Sequence, residues 1–124
     1  MRTFDNTRAE SYLVADIEVV RWEQFGLGDA MPFSAMWYTV PPGSTSPTDC
    51  HPELELSVVL SGSATVTVDS SVAVVNAGGA ILIESDERHS VHNHSDEPVL
   101  VFSAYWMPGD EHVGAEATEA MAHV

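Results

Sequence analysis

Asp49, His51, Glu53 and Glu55 occupy alternate positions inside PPGSTSPTDCHPELELSVVLSG, residues 41–62. Carboxylates and imidazoles are the side chains that hold divalent first-row metals, so four of them in alternation raise the prospect of a metal site. In an extended strand, side chains two apart share a face, which sets this group opposite Leu54, Leu56, Val58 and Leu60. Pro52 cannot serve a central ladder, so a turn or bulge there can rotate part of the set. A second cluster arrives in ERHSVHNH, residues 87–94, with His89, Val91 and Asn93 on one face and His92 and His94 on the other. Two imidazoles, His51 and His89, joined by one carboxylate form a facial triad with open coordination positions, an arrangement suited to iron(II) and its neighbours.

The elements that must position these residues are short β-type runs broken by turn residues. FSAMWYTV ends at Pro41-Pro42-Gly43, ELSVVLSG ends at Gly62, and ATVTVDSSVAVV reads as a hairpin turning at Asp69-Ser70-Ser71. GGAILIES and PVLVFSAYW add two more. Regular short strands without a long helical pattern predict an all-β sandwich or barrel. At 124 residues the chain has room for one domain, with a core over about residues 12–108 and terminal extensions at 1–11 and 109–124, the second a loose helix or disorder. A net charge of −15, with four arginines and no lysine, disfavours nucleic acid and anionic membranes as partners. A lone cysteine, Cys50, and the lack of a long apolar run predict a cytoplasmic protein.

The spacing Gly43-x5-Asp49-x-His51-x3-Glu55-x6-Gly62, followed by Gly78-x5-Glu84-x-Asp86-x2-His89-x3-Asn93, resembles the two signatures of the cupin superfamily. The resemblance covers residues 43–93, with fifteen residues between the motifs. It implies a double-stranded β-helix, the jelly-roll barrel of small RmlC-like cupins, and one divalent transition-metal ion held by His51, Glu55 and His89. Iron(II) leads, with manganese, nickel or zinc as alternatives. The chain departs from the pattern at Asp49, where most cupins have a histidine, and at Glu84 and Asp86, where a proline and a glycine are usual. Asp49 is then a fourth ligand or a general base, unless metal binding has been lost altogether. Cupins include oxygenases, isomerases, cyclases, lyases and plain binders, so the fold does not fix the reaction.

The functional expectation is a metal-dependent enzyme acting on a small organic metabolite, foremost an iron(II)-type oxygenase. A redox-neutral isomerase, cyclase or lyase, or a non-catalytic binder, are the alternatives. Trp37, Tyr38, Ser57, Asn93, Tyr105 and Trp106 are the candidate substrate-pocket residues. Use of 2-oxoglutarate is disfavoured, because its free carboxylate needs a pocket cation and Arg88 has the wrong strand parity. Glu55, flanked by leucines, must meet something cationic. Glu53, His92 and His94 read as solvated, and Cys50 as an outward-facing, buried and inert thiol. The apolar stripe Leu54, Leu56, Val58, Leu60 needs a cover, which predicts a homodimer, with SYLVADIEVV (residues 11–20) as the alternative cover in cis.

Overall fold

The computed structural model describes residues 1–109. Nine strands form among the described residues: β1 (Tyr12–Val14), β2 (Ile17–Arg21), β3 (Ser34–Val40), β4 (Leu54–Ser61), β5 (Ser63–Val68), β6 (Ser71–Asn76), β7 (Ala80–Ile83), β8 (His89–His92) and β9 (Val99–Trp106). A six-stranded sheet runs β1-β2-β3-β9-β4-β7 and faces a three-stranded sheet β6-β5-β8. Every pairing is antiparallel. This is the all-β barrel that the spacing of the runs predicts, in the jelly-roll form that the cupin resemblance implies. The hairpin between β5 and β6 turns at Asp69, whose φ of 51° lies in the left-handed region that Asp tolerates better than most residues. The predicted tail over 109–124 falls, beyond Gly109, outside the described residues.

Period-two alternation places the core. Val40, Val59, Val66, Val91, Val99 and Val101 point inward from five strands and pack together between the sheets. Gly62 links β4 to β5 at φ +82°, where a Cβ would lie 2.7 Å from the Pro98 carbonyl oxygen, so only glycine fits.

Register turns this alternation into a polarity gradient along the barrel. On the inner face, Val59 pairs with Val101, Ser57 with Ser103, and Glu55 with Tyr105. Each step along β4 and β9 is one rung more polar toward a single end. The other sheet follows suit: Val66 pairs with Val91, and Val68 with His89. The apolar end supplies the core, and the polar end is a cup.

The outer face of the large sheet divides in two. Phe4 and Trp22 pack over Trp37 and Phe102, with ring centroids 4.8 Å (Phe4–Trp22), 4.9 Å (Trp22–Trp37) and 5.0 Å (Trp22–Phe102) apart. The first residues are therefore more than a polar extension, since Phe4 closes this aromatic cluster. The segment 11–20 does not cover Leu54, Leu56 and Val58. It forms β1 and most of β2, and extends the sheet from the β3 side while β4 lies two strands beyond. That aliphatic half stays half-exposed, with Leu60 at 46% and Leu82 at 53% of full exposure.

Candidate metal centre

Two stretches of chain meet at the cup. Asp49 exchanges backbone hydrogen bonds of 2.9 Å in both directions with His89, pinning the loop before β4 to the start of β8. The Asp86 backbone N–H donates to the His51 carbonyl at 2.8 Å, with Asp86 at φ +64°. That conformation explains the glycine usual at this position, and why an aspartate can replace it.

The donor atoms of Asp49, His51 and His89 all lie within 4.8 Å of one another. Glu55 joins them: its Oε1 is 3.1 Å from His51 Nε2 and 3.6 Å from His89 Nε2. Its Oε2 accepts hydrogen bonds from the Ser57 hydroxyl at 3.0 Å and the Ser103 hydroxyl at 3.2 Å. Both imidazoles are oriented from behind. His51 Nδ1 donates to the Glu53 carbonyl at 3.2 Å and His89 Nδ1 to the Glu87 carbonyl at 3.0 Å. A carbonyl only accepts, so Nδ1 carries the hydrogen in each ring and Nε2 is left facing Glu55.

This donor set fits a divalent ion. Two bare Nε2 lone pairs aimed at a carboxylate oxygen repel unless a proton or a cation lies between them. Neighbouring ligands at metal bonds of about 2.1 Å stand roughly 3.0–3.4 Å apart, close to the separations found. With no ion bound, the charges pair instead. Burial pushes the Glu55 carboxyl up, but pairing with His89, the Ser57 hydroxyl and the charge of His51 outweigh it, leaving Glu55 below its ordinary range. His89 is raised in turn, chiefly by Glu55, against desolvation and with help from the Glu87 carbonyl and the Asp49 charge. Tyr38, fully buried, is pushed well up by burial and by the nearby Glu55 charge.

A cavity of about 320 Å³ opens beside these residues, lined by Asp49, Glu55, His89 and Tyr38 together with Arg21 and apolar side chains of β2, β3 and β8. Of the six candidate pocket residues, Tyr38 lines it directly. Tyr105 lines a separate surface groove rather than this cavity, although its hydroxyl accepts from the Arg21 guanidinium. The others lie elsewhere. Trp37 and Trp106 point to the outer face, because residues adjacent in a strand cannot share a side with Tyr38 and Tyr105; Trp106 lines the same surface groove as Tyr105, of about 710 Å³, with Glu53. Asn93 is fully buried, its amide spent on the Val40 and Glu97 carbonyls and the Ser95 N–H. Ser57 serves Glu55 and Ser103 rather than the open cavity. Cys50 is exposed, not buried, because it precedes the strand in an irregular segment, and its thiol reaches the Asp86 carbonyl at 3.4 Å. His92 is half-buried and bonded to the Thr45 hydroxyl, and His94 is exposed beside it. Arg21 was not anticipated. It removes the premise that the cup lacks a cation.

The family model for a cupin domain matches residues 36–107. The chain belongs to the cupin family. Among solved structures it resembles a cupin 2 conserved barrel domain protein from Salinispora arenicola, at 25% identity and a TM-score of 0.74, over 96% of this chain and 98% of that one. A predicted oxalate decarboxylase from Thermotoga maritima superposes at 0.76 with 14% identity, over 86% and 100% of the two chains. An RmlC-like cupin from Shewanella frigidimarina gives 0.69 and 14%, over 91% and 96%. The latter two likenesses are of fold alone. Within this cupin the matched span contains all four donors, Asp49, His51, Glu55 and His89.

Proposed function

We propose that this cupin is a metal-dependent enzyme acting on a small organic metabolite, with iron(II)-type oxygenase chemistry as the leading reaction. The observation that carries the proposal is the pair of imidazoles whose Nδ1 atoms are tied to backbone carbonyls while their Nε2 atoms converge on Glu55. His51, Glu55 and His89 would hold the ion, with Asp49 beside them. A bound divalent ion supplies Lewis acidity, and iron(II) adds reactivity toward oxygen. The chain's own residues do the rest. Ser57 and Ser103 fix the Glu55 carboxylate, Tyr38 and the aliphatic wall shape the cup and exclude water, and Asp49 accepts or returns a proton at the substrate.

Asp49 also favours a second reading. An exposed carboxylate at the cavity, in a position usually given to a ligand histidine, suits a redox-neutral isomerisation, cyclisation or lyase reaction that needs a proton shuttle. Metal analysis of the purified protein, followed by oxygen uptake with candidate metabolites, separates the readings. Oxygen consumption supports the first, turnover without it the second, and binding without turnover a non-catalytic cupin.

The proposal extends to assembly and location. The half-exposed Leu54, Leu56 and Val58, flanked by exposed Leu60 and Leu82, form an apolar strip suited to a second copy of the chain. A free, exposed Cys50 suits the reducing cytoplasm.

A further inference from the structure

We infer that Arg21 anchors a carboxylate of the substrate, so that this cup takes a small carboxylic acid with its acid group at Arg21 and its reacting end at the metal ligands. The inference rests on the reading of the cup as a substrate site and deepens it by naming the substrate class.

Register brings Arg21 there. It pairs with Met36, which pairs with Ser103, which pairs with Ser57, so Arg21 shares an inward rung next to that of Glu55. It lines the same cavity as Asp49, Glu55 and His89, and Arg2, Arg8 and Arg88 do not. How the guanidinium is held matters most. Nε donates to the Tyr12 hydroxyl at 2.6 Å and one terminal nitrogen donates to the Tyr105 hydroxyl. Among the described residues, no carboxylate lies within ion-pair distance of it, and the Glu23 charge acts on it only from farther off. In a chain with 19 acidic residues and four arginines, the arginine facing the cup is bracketed by two neutral phenols. Phenols fix a guanidinium in place without neutralising it. Two of its five N–H donors are used, which leaves enough for a bidentate contact to one carboxylate.

The rest of the cavity narrows the class. Ile17, Val19, Met36 and Val91 form an apolar wall near Arg21 and the metal ligands. About 320 Å³ is near the lower end of ligand pockets, roughly 300–1,000 Å³, so the ligand is small. One cation matches one negative charge. A phosphate dianion would face Asp49 and Glu55 with half its charge uncompensated, which favours a carboxylate.

The probe is pentanoate, with pentanamide as its neutral twin, added to the full chain freed of metal by chelation. Heteronuclear NMR of the Arg21 Nε–H signal and the tyrosine rings follows millimolar affinities. We expect saturable shifts with pentanoate, at least tenfold weaker binding of pentanamide, and a loss of at least about tenfold in Arg21→Gln, as befits a charge-assisted bidentate contact. Arg21→Lys, which keeps the charge and loses the fork, should fall between. If Arg21→Gln fails to fold, the comparison of acid with amide on the wild type decides alone. Equal binding of the two probes, no saturable shift, or undiminished pentanoate binding in a folded Arg21→Gln overturns the inference. Inorganic phosphate binding more tightly than pentanoate overturns the carboxylate assignment. Metal binding is measured apart, on the protein as purified and after reloading: a wild type that prefers pentanoate but binds no ion sinks the metal reading and supports this one, and the opposite pattern does the reverse.

Discussion

Replacing His89 with alanine tests the metal centre where the structure makes the outcome calculable. His89 is 7% exposed and reaches Glu55 Oε1 at 3.6 Å, while Glu55 keeps His51 at 3.1 Å and the two serine hydroxyls. The metal-free variant therefore loses one long charge-assisted partner and gains a small void, a loss of about 1–3 kcal/mol. The metal-linked effect is separate. A ligand present at a hundredfold excess over its Kd stabilises a fold by about 2.7 kcal/mol, and a tenfold weaker site at the same concentration gives about 1.4 kcal/mol. At about 4 °C per kcal/mol for a domain of this size, iron(II) or manganese(II) should raise the wild-type Tm by about 11 °C and the variant's by about 6 °C or less. Thermal unfolding of both proteins, with chelator and with metal under anaerobic conditions, reads the two quantities on one axis. Equal metal-induced shifts, or full metal content in His89→Ala, would show that His89 is not a ligand.

Asp49→Asn keeps the side chain's shape and its backbone bridge to His89 but removes charge and basicity. Metal affinity or turnover should drop at least about tenfold, and survival of both would reduce Asp49 to a spacer. Leu56→Glu, on the uncovered strip of β4, should give a monomer by light scattering while metal content holds, and a wild type already monomeric at micromolar concentration contradicts the dimer. Gly62→Ala should lower the urea midpoint by the equivalent of about 1–3 kcal/mol, since φ is +82° and the Pro98 oxygen occupies the methyl's place; an unchanged midpoint would mean the turn relaxes freely.

Much of the fold was legible because alternation and turn residues are local. The runs ending at Gly43 and Gly62, and the hairpin at Asp69, became β3, β4, β5 and β6 with small shifts of boundary. The juxtaposition of His51, Glu55 and His89 was legible because motif spacing encodes which strands meet. Pocket residues were harder, because parity on one strand says nothing about parity on its neighbour. β4 points odd residues inward and β3 points even ones inward. One constraint was available nonetheless: Trp37 next to Tyr38, and Tyr105 next to Trp106, cannot both enter the cup. Arg21 was missed because β2 is five residues long and did not read as part of the barrel. Asn93 was misread because a signature residue can be consumed by backbone carbonyls and leave nothing for a ligand.

The acidity of the donor set bears on which ion it would hold. Asp49 in place of a histidine gives two carboxylates and two imidazoles, a set with a charge of −2 that one divalent cation neutralises. Oxygen donors shift preference toward harder ions, which favours manganese(II) and iron(II) over copper and zinc relative to a three-histidine site. Without a cation, that negative charge would have to be met from within. Glu55 lies below its usual range because pairing with His89, Ser57 and His51 outweighs burial, and His89 is raised chiefly by Glu55. Ser57 and Ser103 keep the carboxylate oriented in either state, since they bond the oxygen that faces away from the imidazoles. The core beneath supplies rigidity for this site. The rungs of valine at the closed end fix the strands whose next two rungs carry Ser57 with Ser103 and Glu55 with Tyr105.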